Sequence, residues 1–170
     1  METIPRALLF DVFGTVVDMS SVPHGEVREY GRHIRKPEWS PLVLPKSWEM
    51  LPAFPDAQEG IGRLNMMGIA TLTCANGPAP LLKKIMVNNR IPIGTIVPLE
   101  EMQVFKPSPQ AYLWACHCAN VRPDLCMMVT ANVPGLGDLE VAAKLGMIPQ
   151  AIRQETGPKT IIQLAELLGC

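Results

Sequence analysis

Apolar residues gather in short runs along the chain, and each run stops at a polar or glycine-rich turn. Ala7-Leu8-Leu9-Phe10 ends on Asp11 and passes into Gly14-Thr15, and residues 69–74 run into Ala75-Asn76-Gly77-Pro78. Cys126-Met127-Met128-Val129-Thr130 gives way to a glycine-rich loop over 131–137, and residues 147–152 form one more such run. A continuous apolar run, as opposed to an alternating one, marks a strand covered on both faces, as in parallel sheets. Residues 95–99 read as a further short strand. Between these runs the spacing turns helical. Asp56 is placed to cap a helix over 57–67 that Gly68 ends. Residues 79–89 present Leu81, Leu82, Ile85 and Met86 on one face. Helices are also predicted at about 109–119, from Asp138 to Gly146 and over 160–168. This alternation predicts an α/β fold: a three-layer sandwich with a central parallel sheet of Rossmann-like topology and helices on both faces.

Residues 18–55 have another texture. Six prolines (Pro23, Pro37, Pro41, Pro45, Pro52 and Pro55) rule out one long helix there. A short basic helix over 25–35 is predicted, then turns and extended pieces, with Trp39 and Trp48 read as exposed. The length of 170 residues fits one core domain, 1–170, that carries residues 19–55 as an insertion.

Composition narrows the function classes. Apolar residues make up 48% of the chain, enough for a two-sided core. Fifteen basic residues balance sixteen acidic ones, and the basic residues form no dense cluster, so no nucleic-acid partner is expected. No run reaches membrane-spanning length and the start of the chain does not read as a signal peptide, so the expected location is cytoplasmic, away from membranes. Five cysteines are an odd number without metal-ligand or disulfide spacing, and they read as reduced thiols. Cys116-His117-Cys118 on a helix would point its two thiols to different faces, so no metal is expected there.

The polar residues of interest lie at the ends of the apolar runs: Asp11 with Thr15, then Asn76, then Lys106, then Thr130 with Asn132 and Asp138. In a doubly wound sheet such ends share one edge, where ligands bind. Each residue alone has an ordinary explanation: a turn aspartate, a solvated lysine, a helix-capping Asp138, a core Tyr112. Their convergence on one edge favours a site.

The order Asp-Val-Phe-Gly-Thr, then Asn-Gly, then Phe-Lys-Pro-Ser-Pro, then Asp-Leu-Glu-Val-Ala-Ala-Lys-Leu-Gly resembles the haloacid dehalogenase superfamily, in particular its type II 2-haloacid dehalogenase branch. The likeness covers residues 5–18 and about 52–153. It implies that Asp11 is a nucleophile forming a covalent ester that water hydrolyses, and that Lys106 lies beside it and holds its charge in place. It implies that Thr15, Asn76 and Thr130 orient the aspartate or the substrate. Tyr112 matches a tyrosine of the dehalogenase branch, and Asn132 and Asp138 match the pair that positions the hydrolytic water. The substrate would be a small molecule such as a 2-halo acid, with no cofactor and no metal.

Phosphatases of the superfamily carry a second aspartate two residues after the nucleophile, where this chain has Phe13. Phenylalanine cannot protonate a leaving oxygen, so a metal-dependent phosphatase is the least favoured reading. Three departures touch the dehalogenase reading. Ala75 stands where the family usually has serine. The loop between Asn132 and Asp138 is longer than the type II spacing. The 19–55 insertion is a much reduced cap, too short for the family's helical lid, and none of Arg28, Arg32 and Arg35 aligns with the lid arginine that receives the halide. An uncovered crevice is therefore expected, with room for self-association into a homodimer. The alternative function is a catalytically degenerate member that binds a ligand or partner.

Overall fold

The computed structural model describes residues 3–170. Four parallel strands, β1 (Ala7–Phe10), β2 (Ala70–Thr73), β3 (Cys126–Thr130) and β4 (Ile148–Ala151), form one sheet in the order β2-β1-β3-β4. Ala7 lies opposite both Ala70 and Cys126, so β1 is paired along its whole length on both sides.

The side-chain period of two then divides β1 between two cores. Leu8 and Phe10 pack with α2 (Ala57–Met66), α3 (Ala79–Asn88) and α6 (Ile161–Leu167) through Ile61, Leu82, Ile85 and Leu164. Ala7 and Leu9 face α4 (Pro109–Ala119) and α5 (Asp138–Lys144) through Ala111, Tyr112, Ala115 and Ala142. The result is the expected three-layer α/β/α sandwich. Gly60 of α2 lets α6 come close, because a Cβ there would lie 2.8 Å from the backbone carbon of Ile161.

Three expectations need correction. Residues 95–99 do not make a strand. Thr95 bridges Leu72 only, and the ladder then breaks where the Val97 amide donates to the Thr73 side chain. Pro98 next to it has no amide to offer. Asp56 does not cap α2; its carboxylate is turned toward Arg153 and the amide of Ile161. Trp48 is not exposed.

The segment after β1 folds onto the core around that tryptophan. It contains α1 (His24–Ile34) and a 3-10 turn at Lys46–Met50. Trp48, 1% exposed, packs edge-on against Phe13 at 5.2 Å and Tyr30 at 5.5 Å, and its indole N–H donates to Glu26 at 3.0 Å. Asn89 fastens the end of the segment, accepting from the Ala53 amide and donating to the carbonyl of Leu51. Among the described residues, no helix is long and apolar enough to cross a membrane.

Candidate active site

The site is built at the carboxyl end of β1. The Asp11 amide still donates to Val129 of β3, and the chain then winds into a tight loop in which the amides of Thr15, Val16 and Val17 converge on the Val12 carbonyl. Gly14 makes this turn at φ +90°, and a Cβ there would stand 2.9 Å from Oδ1 of Asn132. Both the backbone angle and the lack of space call for glycine. The winding brings the Thr15 hydroxyl back under Asp11.

Asp11 is 7% exposed and its carboxylate is held by four side chains. Oδ2 accepts from Thr15 Oγ1 at 2.9 Å, from Thr130 Oγ1 at 3.4 Å and from Asn132 Nδ2. Oδ1 accepts from Lys106 Nζ at 3.1 Å. The same ammonium donates to Asp138 Oδ2 at 3.0 Å, while Asp138 Oδ1 accepts from the Tyr112 hydroxyl at 2.5 Å. Asn76 does not reach the carboxylates. Its amide grips the main chain of Lys106, donating to that carbonyl at 3.1 Å and accepting from that N–H at 2.7 Å. Asn76 thus fixes the loop from which the lysine reaches in.

Charge and burial oppose each other here. Burial would lower the Lys106 pKa, yet Asp11 and Asp138 together outweigh it and hold the ammonium well above its ordinary value. A charged lysine at 1% exposure is sustained only by such pairing. Burial raises the phenol of Tyr112, and the neighbouring Asp138 raises it further, so it remains a hydrogen-bond donor. Burial raises Tyr30 as well, followed by Asp11. The Cys74 thiol nearby is pushed up to about 12, first by burial.

The structure thus brings Asp11, Thr15, Lys106, Tyr112, Thr130, Asn132 and Asp138 into one bonded cluster, with Asn76 one step behind it. The long 133–137 loop does not carry Asp138 away from Lys106. Nor is the crevice naked. A cavity of about 330 Å³ lies over Asp11, and Met19, Val27, Tyr30, Ile34 and Arg35 from the segment after β1 line it together with Phe13. Its position there follows from Trp48, whose burial ties α1 to Phe13, and from the Tyr30 hydroxyl, which donates to the Asn76 carbonyl at 2.7 Å. Sequence reasoning missed Tyr30, a lone tyrosine in α1. It also left the three arginines unranked. Arg35 lines the cavity, whereas Arg32 pairs with Glu29 on the outer face.

Among the described residues no group of three or more His, Cys, Asp or Glu side chains is placed to hold a metal ion. The two acids of the cluster have the Lys106 ammonium between them, where a cation shared by both would have to sit.

No family model matches the chain. It is 27% identical over 93 residues to (S)-2-haloacid dehalogenase 1 of Pseudomonas sp. (strain CBS-3), covering 54% of this chain and 41% of that protein. It is 25% identical over 117 residues to (S)-2-haloacid dehalogenase 4A of Burkholderia cepacia, covering 68% and 49%. The chain therefore matches less than half the length of these two relatives. Among solved structures, a defluorinating L-2-haloacid dehalogenase superposes with a TM-score of 0.75 at 22% identity, covering 98% of this chain and 96% of that one. The L-2-haloacid dehalogenase from Xanthobacter autotrophicus with chloropropionic acid covalently bound gives 0.70 at 16% identity, covering 89% and 79%.

Proposed function

From a chain that is haloacid-dehalogenase-like in sequence and in fold, we propose a metal-independent hydrolase that removes halide from a small 2-halo acid. Asp11 attacks the carbon that bears the halogen, the carbon–halogen bond breaks, and the halide leaves with its electron pair. The product of this step is an ester between the substrate carbon and Asp11. Water, held by Asn132 and Asp138, then adds to the ester carbonyl, releasing the 2-hydroxy acid, a proton and the original Asp11 carboxylate. Splitting one displacement into two steps is what a carboxylate nucleophile offers.

The observation that carries this reading is the four-donor grip on Asp11, with Lys106 bridging to Asp138. Fixed donors hold the carboxylate in one orientation, so little reorganisation is needed during attack. Phe13 supports the leaving-group assignment. Its ring packs against Tyr30 and Trp48 and presents an apolar wall to the cavity. A halide departs without a proton, so an apolar wall at that position costs the reaction nothing, whereas an alkoxide leaving from phosphorus needs an acid. Arg35, at the cavity wall, is the candidate to receive the anion.

A second reading, a member that binds a ligand without turning it over, is favoured by the turn after β2. Ala75 supplies no hydroxyl there, and the Asn76 amide uses its oxygen and one N–H on Lys106. The side chains of this turn therefore offer a substrate carboxylate at most the second N–H of Asn76.

Chloride release from 2-chloropropionate tests the proposal, with Asp11→Asn as control. Release in the wild type that Asp11→Asn abolishes supports it. Release that survives in Asp11→Asn would refute the nucleophile assignment. A folded wild type that releases nothing favours the binding reading, and turnover of p-nitrophenyl phosphate with magnesium would overturn the inference from Phe13.

A further inference from the structure

A second, partly buried charged cluster holds the Asp11 loop and does not line the cavity. Arg153, in the turn after β4, and Asp56, just before α2, form a two-pronged ion pair. Nη1 meets Oδ1 and Nη2 meets Oδ2, each at 3.1 Å, with side-chain exposures of 16% and 9%. The same guanidinium turns its other edge to the Thr15 carbonyl, which accepts from Nε at 3.0 Å and from Nη2 at 2.9 Å. The ring of Phe54 lies 4.0 Å from its central carbon. Asp56 Oδ2 also accepts the amide of Ile161, the first residue of α6, at 2.6 Å.

We propose that Arg153 and Asp56 are a positioning pair that fixes Thr15 and, through Thr15, the carboxylate of Asp11. The chain of contacts is short. The guanidinium holds the Thr15 carbonyl, and the Thr15 hydroxyl donates to Asp11 Oδ2 at 2.9 Å while accepting from the Ala131 amide at 2.9 Å. The hydroxyl direction is thereby set from both sides. Because Asp56 neutralises the guanidinium, the pair acts by geometry and not by its field at Asp11. Arg153 itself sits at φ +61°, which disfavours non-glycine residues. Its side chain, clamped by Asp56, Thr15 and Phe54, accounts for that backbone being held. Lysine could not replace it, since one ammonium cannot span the carbonyl and the carboxylate as a planar fork does.

The effect on turnover rests on Asp11 being the nucleophile; the effect on Thr15 does not. The experiment therefore has two readouts on the full-length chain, in Arg153→Lys and in Asp56→Asn. The first is amide hydrogen exchange at Ala131, whose donor contact reports the Thr15 hydroxyl, against Met128 in the sheet core. Exchange at Ala131 should accelerate by about tenfold or more in both variants while Met128 stays protected, as local opening requires. The second is steady-state dehalogenation, where kcat should fall by about 10–100-fold with KM nearly unchanged, the signature of a displaced reacting group. Ala131 protection equal to the wild type in both variants would overturn the proposal. Equal acceleration at Ala131 and Met128 would also overturn it, by showing only general loosening. If the wild type releases no halide, the nucleophile reading falls while the exchange comparison still decides the role of the pair.

Discussion

Replacing Lys106 by methionine tests the electrostatic logic of the site most directly. Methionine fits the channel of the lysine stem but leaves Asp11 and Asp138 without the ammonium now 3.1 and 3.0 Å from them. Two charge-assisted hydrogen bonds at about 1.5–3 kcal/mol each are lost. That agrees with the roughly 3–5 kcal/mol cost of breaking a buried pair by removing one partner. For a chain of this size the loss corresponds to a fall in Tm of about 10 °C. Thermal unfolding followed by circular dichroism at pH 7 measures it. Two further outcomes belong to the same reasoning. Acidification should recover part of the loss, because protonating either carboxylate relieves the repulsion between them. Lys106→Met combined with Asp138→Asn should be more stable than Lys106→Met alone, since the amide oxygen can still accept from Tyr112 while one stranded charge is gone. A Tm within about 2 °C of the wild type, with no pH dependence of the difference, would refute the reasoning, because each lost kilocalorie should be visible at this size.

The raised Lys106 pKa fixes an alkaline limit. Its contribution to stability is complete below its ordinary value of 10.5 and declines as pH rises beyond it, because the unfolded chain then releases a proton that the folded chain retains. The urea midpoint should therefore fall above that pH in the wild type, and Lys106→Met should lack this increment. Gly14→Ala should cost about 1–2 kcal/mol in urea denaturation from its positive φ alone. It should also reduce halide release by pushing Asn132 off Asp11. Trp48→Ala should cost about 3–5 kcal/mol, and exchange across α1 should rise more than across β1, since Trp48 is the anchor of that segment.

Much of this molecule could be read from residue pattern because the reading rested on local rules. The run 7–10 is apolar at every position, as suits a strand covered on both faces, and β1 has that environment. The strand-end residues meet because the topology, once parallel, leaves them one edge. What escaped was set by partners far away in sequence. Asp56 precedes α2 and Asp138 opens α5, so both read as caps, yet each carboxylate pairs with a cation from a distant segment instead. Helix capping is a modest stabiliser and yields to such pairing. Trp48 sits among prolines, where sequence suggests a loop, but its ring meets Phe13 of the loop after β1 and Tyr30 of α1. Residues 95–99 have strand composition, and Thr73 diverts the hydrogen bond that would have continued the ladder. Arg153 carries no local signal at all.

The four donors to Asp11 stand 4, 95, 119 and 121 residues away from it along the chain. The last two, from Thr130 and Asn132, cannot form before β3 has docked beside β1. Such distant contacts are paid for late in folding, after the loops between them have closed. The carboxylate at the chain's first strand end is therefore completed by β3 and the loop after it, and a chain lacking β3 has no Thr130 or Asn132 to hold Oδ2 of Asp11. Pairing of β3 with β1 and completion of the hydrogen-bonded grip on Asp11 are thus one event.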